Sequence, residues 1–419
     1  MKPGEYVKAG QVIGGDDDSI SSPVHSTVNG VVEEIATLEY PEGKIPVVVV
    51  RSDGTSDWQS LKSGDADWAD LSKEALGEII YLSGAASLDR EGIPTGHKSS
   101  SVPPDQIQHI IIRGVDSETY NPSINLMLSG DRISHFVQGL SILKKVMPSA
   151  GLHLALNTHN RQLIGRIIPL IEGYEWIDVF RLKPKYPQEF DEVIIPTILN
   201  QTLPSGGSAA QMGVVVLSVQ TILHVYEAVV EGKPVMERIV ALAGTGFREA
   251  CHARVRIGAP LEHLIGDRID ADSGVRLVLN SLLTGENISD LSLPVDRRFT
   301  SVIALPEEKE RQFFAFLRPG FRKDSYSRTF FPVFSKQCGT NLHGEERPCI
   351  SCGYCDEVCP AKILPHLIYR HIERDAVDET LNLRIFDCIE CNLCDYVCPS
   401  KLPLAGFIKE GKKKLREIK

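Results

Sequence analysis

Two short runs of this chain, CISCGYCDEVCP from Cys349 to Pro360 and CIECNLCDYVCP from Cys388 to Pro399, repeat one spacing: C-x2-C-x2-C-x3-C-P. Laid over each other they agree at every cysteine and also at Ile, Asp, Val and Pro, with a matching Lys just beyond. Eight of the ten cysteines in the 419 residues fall in these runs. Such a concentration reads as metal binding in reducing surroundings rather than as a disulfide framework. Three cysteines at this spacing wrap a tight loop around one face of a 4Fe–4S cubane, while the fourth, before proline, points elsewhere.

Where two such motifs occur together, the fourth cysteine of each ligates the cluster of the other. Two 4Fe–4S clusters are therefore expected. One takes Cys349, Cys352, Cys355 and Cys398, and the other takes Cys388, Cys391, Cys394 and Cys359. Pro360 and Pro399 remove a further backbone donor and turn the chain away. Zinc is the competing occupant, but zinc sites usually draw four ligands in two pairs rather than three evenly spaced cysteines and a fourth before proline. Between the repeats, apolar Ile363, Leu364, Leu367, Ile368 and Ile372 recur at helical spacing, so two short helices are expected to bring the repeats together about a pseudo-twofold axis. Cys251 and Cys338 lie outside the pattern and are expected to be small buried residues.

The formal net charge of −10 argues against a nucleic-acid partner. The nearest approach to a membrane span, Met212 to Val230, is interrupted by Gln220, His224 and Glu227, so the chain is not expected to span a membrane by itself. The opening MKPGEYVKAG lacks the long apolar region of a signal peptide.

The texture of the chain divides it into an α/β multidomain protein. Residues 1–80 alternate short β-rich runs with turn residues. They resemble the lipoyl-type β-hammerhead, but no lysine occurs between Lys8 and Lys44 to carry a prosthetic group. This segment starts inside its first strand, so an incomplete N-terminus is expected. Residues 81–236 alternate strand-like IQHIIIRGV, GLHLALNTH and IDVFRL with helix-like DRISHFVQGLSILKKVM and RQLIGRIIPLIEG, which calls for a Rossmann-like doubly wound sheet. Residues 237–330 return to short strands and fit a β-grasp module. Residues 338–408 form the α-helical dicluster domain, and 409–419 a basic tail facing solvent, lipid or a partner.

KYPQ, LPSGG, GVVVLSVQT, GKPVMERIVALAG, VRIGAPLEHLI and the two cysteine runs together resemble the C-subunit of Rnf-type ferredoxin:NAD oxidoreductases. Its homologue is the A-subunit of the sodium-translocating NADH:quinone reductase, to which FLRPGFRKDSYSRTFF (residues 316–331) is more similar. Both resemble the flavoprotein subunit of respiratory complex I, and the β-grasp module is then of the SLBB type. The resemblance covers nearly the whole chain. It implies a peripheral iron–sulfur subunit on the cytoplasmic face of the cell membrane. Its partners would be membrane-embedded subunits of an Nqr/Rnf-type complex and an electron donor, either ferredoxin or an NADH-oxidising subunit.

The chain departs from the flavin-binding relatives at SLDREGIPTGHK (Ser87 to Lys98), where they carry a glycine-rich loop and this chain keeps only Gly92, Pro94 and Thr95. Asp89, Arg90 and Glu91 fill the places of small residues, and carboxylates repel a phosphate. The acidic EFDE after KYPQ (Glu189 to Glu192) adds to this, while Glu118 survives from an acidic stretch of the relatives. FMN and NADH are accordingly not expected to bind tightly. The competing possibility is a catalytically complete Rnf-type subunit that binds both.

Overall fold

The computed structural model describes residues 1–15, 21–40, 43–61, 67–90, 92–97, 99–269, 274–306 and 346–418. Glu91, Lys98, Cys338 and residues 316–331 lie outside them.

The chain opens with three short strands, β1 (Tyr6–Val7), β2 (Val12–Gly14) and β3 (Val24–His25), and a long antiparallel hairpin of β4 (Gly30–Tyr40) and β5 (Gly43–Ser52). β1, β4 and β5 form one sheet, and β2 pairs with β3. Gly30 permits the close crossing at the base of the hairpin, since a Cβ there would come within 2.0 Å of the Arg51 carbonyl oxygen.

An α/β unit follows. Its elements are α1 (Lys73–Leu82), β6 (His109–Gly114), α2 (Ile124–Met127), α3 (Arg132–Val146), β7 (Gly151–Asn157), α4 (Arg161–Ile171), β8 (Ile177–Leu182), α5 (Asp191–Leu199), β9 (Val214–Ser218) and α6 (Val219–Val230). The four strands are parallel, in the order β8-β7-β6-β9. Uninterrupted apolar runs such as Ile110–Ile111–Ile112 suit strands covered on both faces. Alternation then splits them. Ile110 and Ile112 join Phe136, Leu140, Leu143 and Ile222 from α3 and α6, whereas Ile111 joins Val214, Val216, Ile194 and Ile195 on the other face. From β6 the chain winds outward to β8 and then returns to the far side of β6 for β9. A crevice at such a reversal opens beyond the carboxyl ends of the strands and is where ligands of open parallel sheets sit.

Next come β10 (Glu237–Ala243), β11 (Cys251–Arg256), α7 (Leu261–Ile265), β12 (Val275–Leu279), β13 (Asn287–Ile288) and β14 (Ser301–Pro306), in a mixed sheet of order β11-β10-β14-β12-β13 around its own core. The C-terminal domain is helical: α8 (Tyr354–Val358), α9 (Pro365–Glu373), α10 (Leu393–Val397) and α11 (Leu404–Ile418), with 3-10 turns at Val377–Leu381 and Ile385–Asp387. α11 runs on through the basic stretch read as a tail. Leu415 is buried with Ile372, Ile385 and Ile408, and Gly411 lets Ile372 approach closely. Among the described residues, no helix is long and apolar enough to cross a membrane.

The contact between α3 and α6 depends on Gly139, where a Cβ would lie 2.6 Å from the carbonyl oxygen of Ile222. Alanine would gain up to about 1 kcal/mol of helix propensity. Pushing the helices apart costs about 1–3 kcal/mol. Gly139→Ala should therefore lower the urea midpoint with the m-value unchanged. A raised midpoint would show that the helices do not approach this closely.

Candidate metal centres and the neighbouring crevice

The sequence repeat is also a backbone repeat. Ser351 and Glu390, Gly353 and Asn392, and Lys362 and Lys401 occupy equivalent places, and all six have positive φ, between 53° and 77°. Left-handed residues of this kind curl each loop tightly enough to aim three side chains inward. Gly353 and Asn392 then open the short helices α8 and α10, which end at Cys359 and Cys398 in extended conformation. In each loop a backbone N–H points at the first sulfur: Ser351 N lies 3.5 Å from Cys349 Sγ, and Glu390 N lies 3.4 Å from Cys388 Sγ.

Two pockets result. One is lined by Cys349, Cys352, Cys355 and Cys398 with Ile350, His366 and Leu404. The other is lined by Cys359, Cys388, Cys391 and Cys394 with Ile363, Leu393 and Ile408. Each repeat thus sends three cysteines to one pocket and its fourth to the other. Burial, helped by Asp356, pushes the Cys355 thiol up to about 12. Burial, helped by neighbouring thiols, pushes Cys391 up to about 11; burial also raises Cys388, and burial with the Asp395 carboxylate raises Cys394. Thiols this desolvated do not ionise unaided, and bound metal cations are what would hold them as thiolates. Four soft donors in an apolar shell fit an iron–sulfur cluster. His366 Nδ1 and Asp356 Oδ1, 2.9 Å apart, lie with Cys355 at the edge of the first pocket.

Three side chains around the second loop were not singled out for it in the sequence. Lys412 donates through Nζ to the Cys388 carbonyl at 2.6 Å and to Glu390 Oε1 at 2.8 Å. The hydroxyl of Tyr186, from the α/β unit, donates to the Cys391 carbonyl at 2.8 Å. Asn392 donates through Nδ2 to the Leu283 carbonyl in the mixed-sheet domain. Tyr186 belongs to the KYPQ block and Lys412 to the basic stretch, but nothing local in either links it to a cysteine loop. Cys251, expected to be buried, is half-buried and lies within reach of the Arg268 guanidinium.

The crevice at the switch point is strongly charged. Asp89 Oδ1 accepts from Arg113 Nη2 at 2.7 Å, and its Oδ2 accepts from Ser218 N at 3.0 Å and Thr221 Oγ1 at 2.6 Å, capping the start of α6. Arg90 pairs with Glu192 at 2.7 Å. Glu189 Oε1 accepts from the backbone and hydroxyl of Ser117 and from Glu118 N, at 2.6, 2.8 and 3.2 Å. Burial, with the Glu189 charge, raises Asp116 to about 6. Burial and Glu189 raise Glu118 to about 7, opposed by a hydrogen bond from Ser281. Arg113 keeps a buried Nε with no hydrogen-bond partner. A guanidinium with an unspent donor fits an anionic cofactor in this crevice.

Three stretches match known protein families. Residues 1–55 match the RnfC barrel sandwich hybrid domain, 82–227 the Nuo51 FMN-binding domain and 348–403 a 4Fe-4S dicluster domain. The chain is 27% identical over 426 aligned residues to the C-subunit of the ion-translocating oxidoreductase complex of Pseudomonas aeruginosa, covering 100% of this chain and 50% of that protein. It is 26% identical over 423 residues to the corresponding C-subunit from Haemophilus influenzae, covering 100% and 60%. It is also 25% identical over 388 residues to the C-subunit of the proton-translocating ferredoxin:NAD(+) oxidoreductase complex of Clostridium ljungdahlii, covering 90% and 76%. The chain thus spans half of the Pseudomonas relative's length and three-fifths of the Haemophilus one's. Among solved structures, NAD+-reducing NiFe hydrogenase in its H2-reduced state is similar at a TM-score of 0.45 and 13% identity, covering 57% of this chain and 47% of that one.

The expectation that FMN does not bind is corrected by the match of residues 82–227 to an FMN-binding domain. The expectation treated Asp89 and the EFDE run as free negative charge facing a phosphate. In the fold these charges are spent internally, Asp89 on Arg113 and the start of α6, Glu192 on Arg90, and Glu189 on Ser117 and Glu118. The repulsion that was counted is therefore reduced by two ion pairs, and burial raises Asp191 of the same run to about 6, with Arg113 opposing.

Glu118 gives this crevice a pH signature. Its carboxyl is raised in the folded chain, so between about 4.5 and about 7 the native state binds more protons than the unfolded one. Stability should then fall as pH rises through that window and stay lower above it. Thermal melts should show a smaller fall for Glu118→Gln than for the parent. An equal fall in both would assign the dependence to other groups, Asp116 first.

Proposed function

We propose that this chain, a relative of the C-subunit of the Rnf-type ion-translocating oxidoreductases, is a peripheral iron–sulfur electron-transfer subunit of a membrane-bound ion-translocating complex. Cys349, Cys352, Cys355 and Cys398 would hold one 4Fe–4S cluster, and Cys388, Cys391, Cys394 and Cys359 the other. The observation that carries this is the pair of four-thiol pockets built by crossing the two repeats. The match of residues 348–403 to a dicluster domain supports it.

When bound, such clusters supply one-electron carriage, and FMN held by the α/β unit would supply exchange between two-electron and one-electron chemistry. The chain's own residues do the rest. The left-handed loop residues hold three sulfurs to one face. The N–H groups of Ser351 and Glu390 lower the electron density on the first thiolates. Leu402 and Leu404 give the first pocket, and Ile363 and Ile408 the second, an apolar wall beside the sulfurs. Arg113, paired with Asp89, keeps one buried N–H donor at Nε toward the crevice. The N-terminal strands, as a hammerhead, and the mixed sheet, as a β-grasp module of the SLBB type, would serve as scaffold, with residues 1–80, 81–236, 237–330 and 338–408 as the units. Membrane-embedded subunits on the cytoplasmic face of the cell membrane are the partners this role requires, with ferredoxin or an NADH-oxidising subunit as the donor.

Anaerobic reconstitution should load about eight iron atoms per chain, four for each cluster. Cys398→Ala should damage the centre held by Cys349, Cys352 and Cys355, distant from it in sequence, and leave the other with four thiolates. Electron paramagnetic resonance on the reduced variant, with the surviving centre identified by a second cysteine substitution, reads the outcome. Loss of the Cys388-containing centre instead would sink the crossed arrangement, and stoichiometric zinc without iron absorption would sink the clusters altogether.

A further inference from the structure

The two cysteine loops are near copies in sequence and backbone, yet they sit in different surroundings. Cys352 is exposed, while its counterpart Cys391 is 8% exposed. Ile350 is 67% exposed and Tyr354 53%, so the first loop lies at the outside of the molecule. The second loop is covered by the rest of the chain. Asn392 reaches the Leu283 carbonyl of the mixed-sheet domain, and the Tyr186 hydroxyl reaches the Cys391 carbonyl across 205 positions of sequence.

The segment that carries Tyr186 faces two ways. Its start holds the cysteine loop, with the Tyr186 ring set edge-on against Phe190 at 5.8 Å. A few residues on, Glu189 accepts from Ser117 and Glu118, and its carbonyl oxygen lies 3.4 Å from Arg113 Nη1 at the switch-point crevice. One short stretch of chain thus joins the crevice to the second loop. The loop also takes a second side-chain donor, Lys412 to the Cys388 carbonyl, from a lysine only 5% exposed. Donors to loop carbonyls bring positive charge near the sulfurs and favour the electron-richer state of a cluster held there. Burial and hydrogen bonding are among the determinants that separate the potentials of chemically identical clusters.

We propose that Tyr186 is a positioning residue for the second centre. Its hydroxyl fixes the Cys388–Cys394 loop against the α/β unit and raises the reduction potential of the cluster in that loop above the value its sequence motif alone would give. The near-symmetric pair is thereby made unequal, with the inner cluster tied to the crevice and the outer loop held within its own domain, where Arg370 Nη2 donates to Ser351 Oγ at 2.6 Å and Ser400 Oγ to the Pro348 carbonyl at 3.0 Å. This rests on the iron–sulfur assignment above.

The test uses the full chain, reconstituted anaerobically, and redox titration followed by electron paramagnetic resonance. Tyr186→Phe removes one hydroxyl and keeps the ring. The variant should retain the parent's iron content, and one of the two centres should shift to a more negative midpoint potential with the other unmoved. Lys412→Met, which removes the other donor to the same loop, should shift that same centre in the same direction. Unchanged potentials in Tyr186→Phe, or shifts of different centres in the two variants, would overturn the proposal. If Tyr186→Phe instead loses one cluster, Tyr186→His, which returns a donor, should restore it, and failure to do so also counts against Tyr186. A parent chain that takes up no pair of clusters would defeat the iron–sulfur assignment itself, so the two failures are distinguishable.

Discussion

Eight thiols gathered into two pockets, all but Cys352 buried or half-buried, are the constraint around which the C-terminal domain is arranged. Desolvation above all pushes Cys355 to about 12 and Cys391 to about 11, so these two thiols resist ionisation. Several large apolar side chains of the domain serve both roles: Ile363 and Ile408 line the second pocket with Cys359 and Cys388, and they share one core with Ile368 and Ile372. Cluster lining and hydrophobic core are the same layer. A domain built this way gains folding free energy from whatever binds its cysteines. Crossing the repeats makes the two sites interdependent, because the chain between Cys359 and Cys388 must be folded before either is complete.

The α/β unit solves a different problem. Its parallel sheet is covered on both faces, and its winding leaves a crevice between β6 and β9. Charges there are organised rather than merely accumulated. Asp89 answers both the Arg113 guanidinium and the positive end of α6, and Glu189 gathers three donors from the Ser117–Glu118 turn. This is why counting acidic residues along the sequence gave the wrong expectation for FMN. A carboxylate's effect on a neighbouring anion depends on what already neutralises it, and the partners of Asp89 lie 24 and 129 or more positions away.

Side-chain hydrogen bonds tie the second cysteine loop to the rest of the chain. The Tyr186 hydroxyl reaches into the second cysteine loop, Asn392 of that loop reaches out to the Leu283 carbonyl, and Lys412 donates to the Cys388 carbonyl. Lys412 is instructive, because among the lysines of residues 409–414 it reads as one more solvated charge. The helix phase turns it inward, where a backbone carbonyl and Glu390 satisfy it. Leu415 and Gly411 share that inward face, and so α11 is part of the domain.

The sequence by itself determined what is local or periodic. The repeated cysteine spacing dictates two equivalent loops, because three side chains can converge only if the backbone curls in a fixed way. The apolar runs at Ile110 and Val214 dictate buried strands, because such strands are covered on both faces. Only the tertiary structure decided which partners Asp89 and Glu189 find and which cysteine loop is covered. Each of these depends on groups brought together from distant parts of the chain, and the energies that select them, desolvation and pairing, are properties of the assembled surroundings rather than of any residue type.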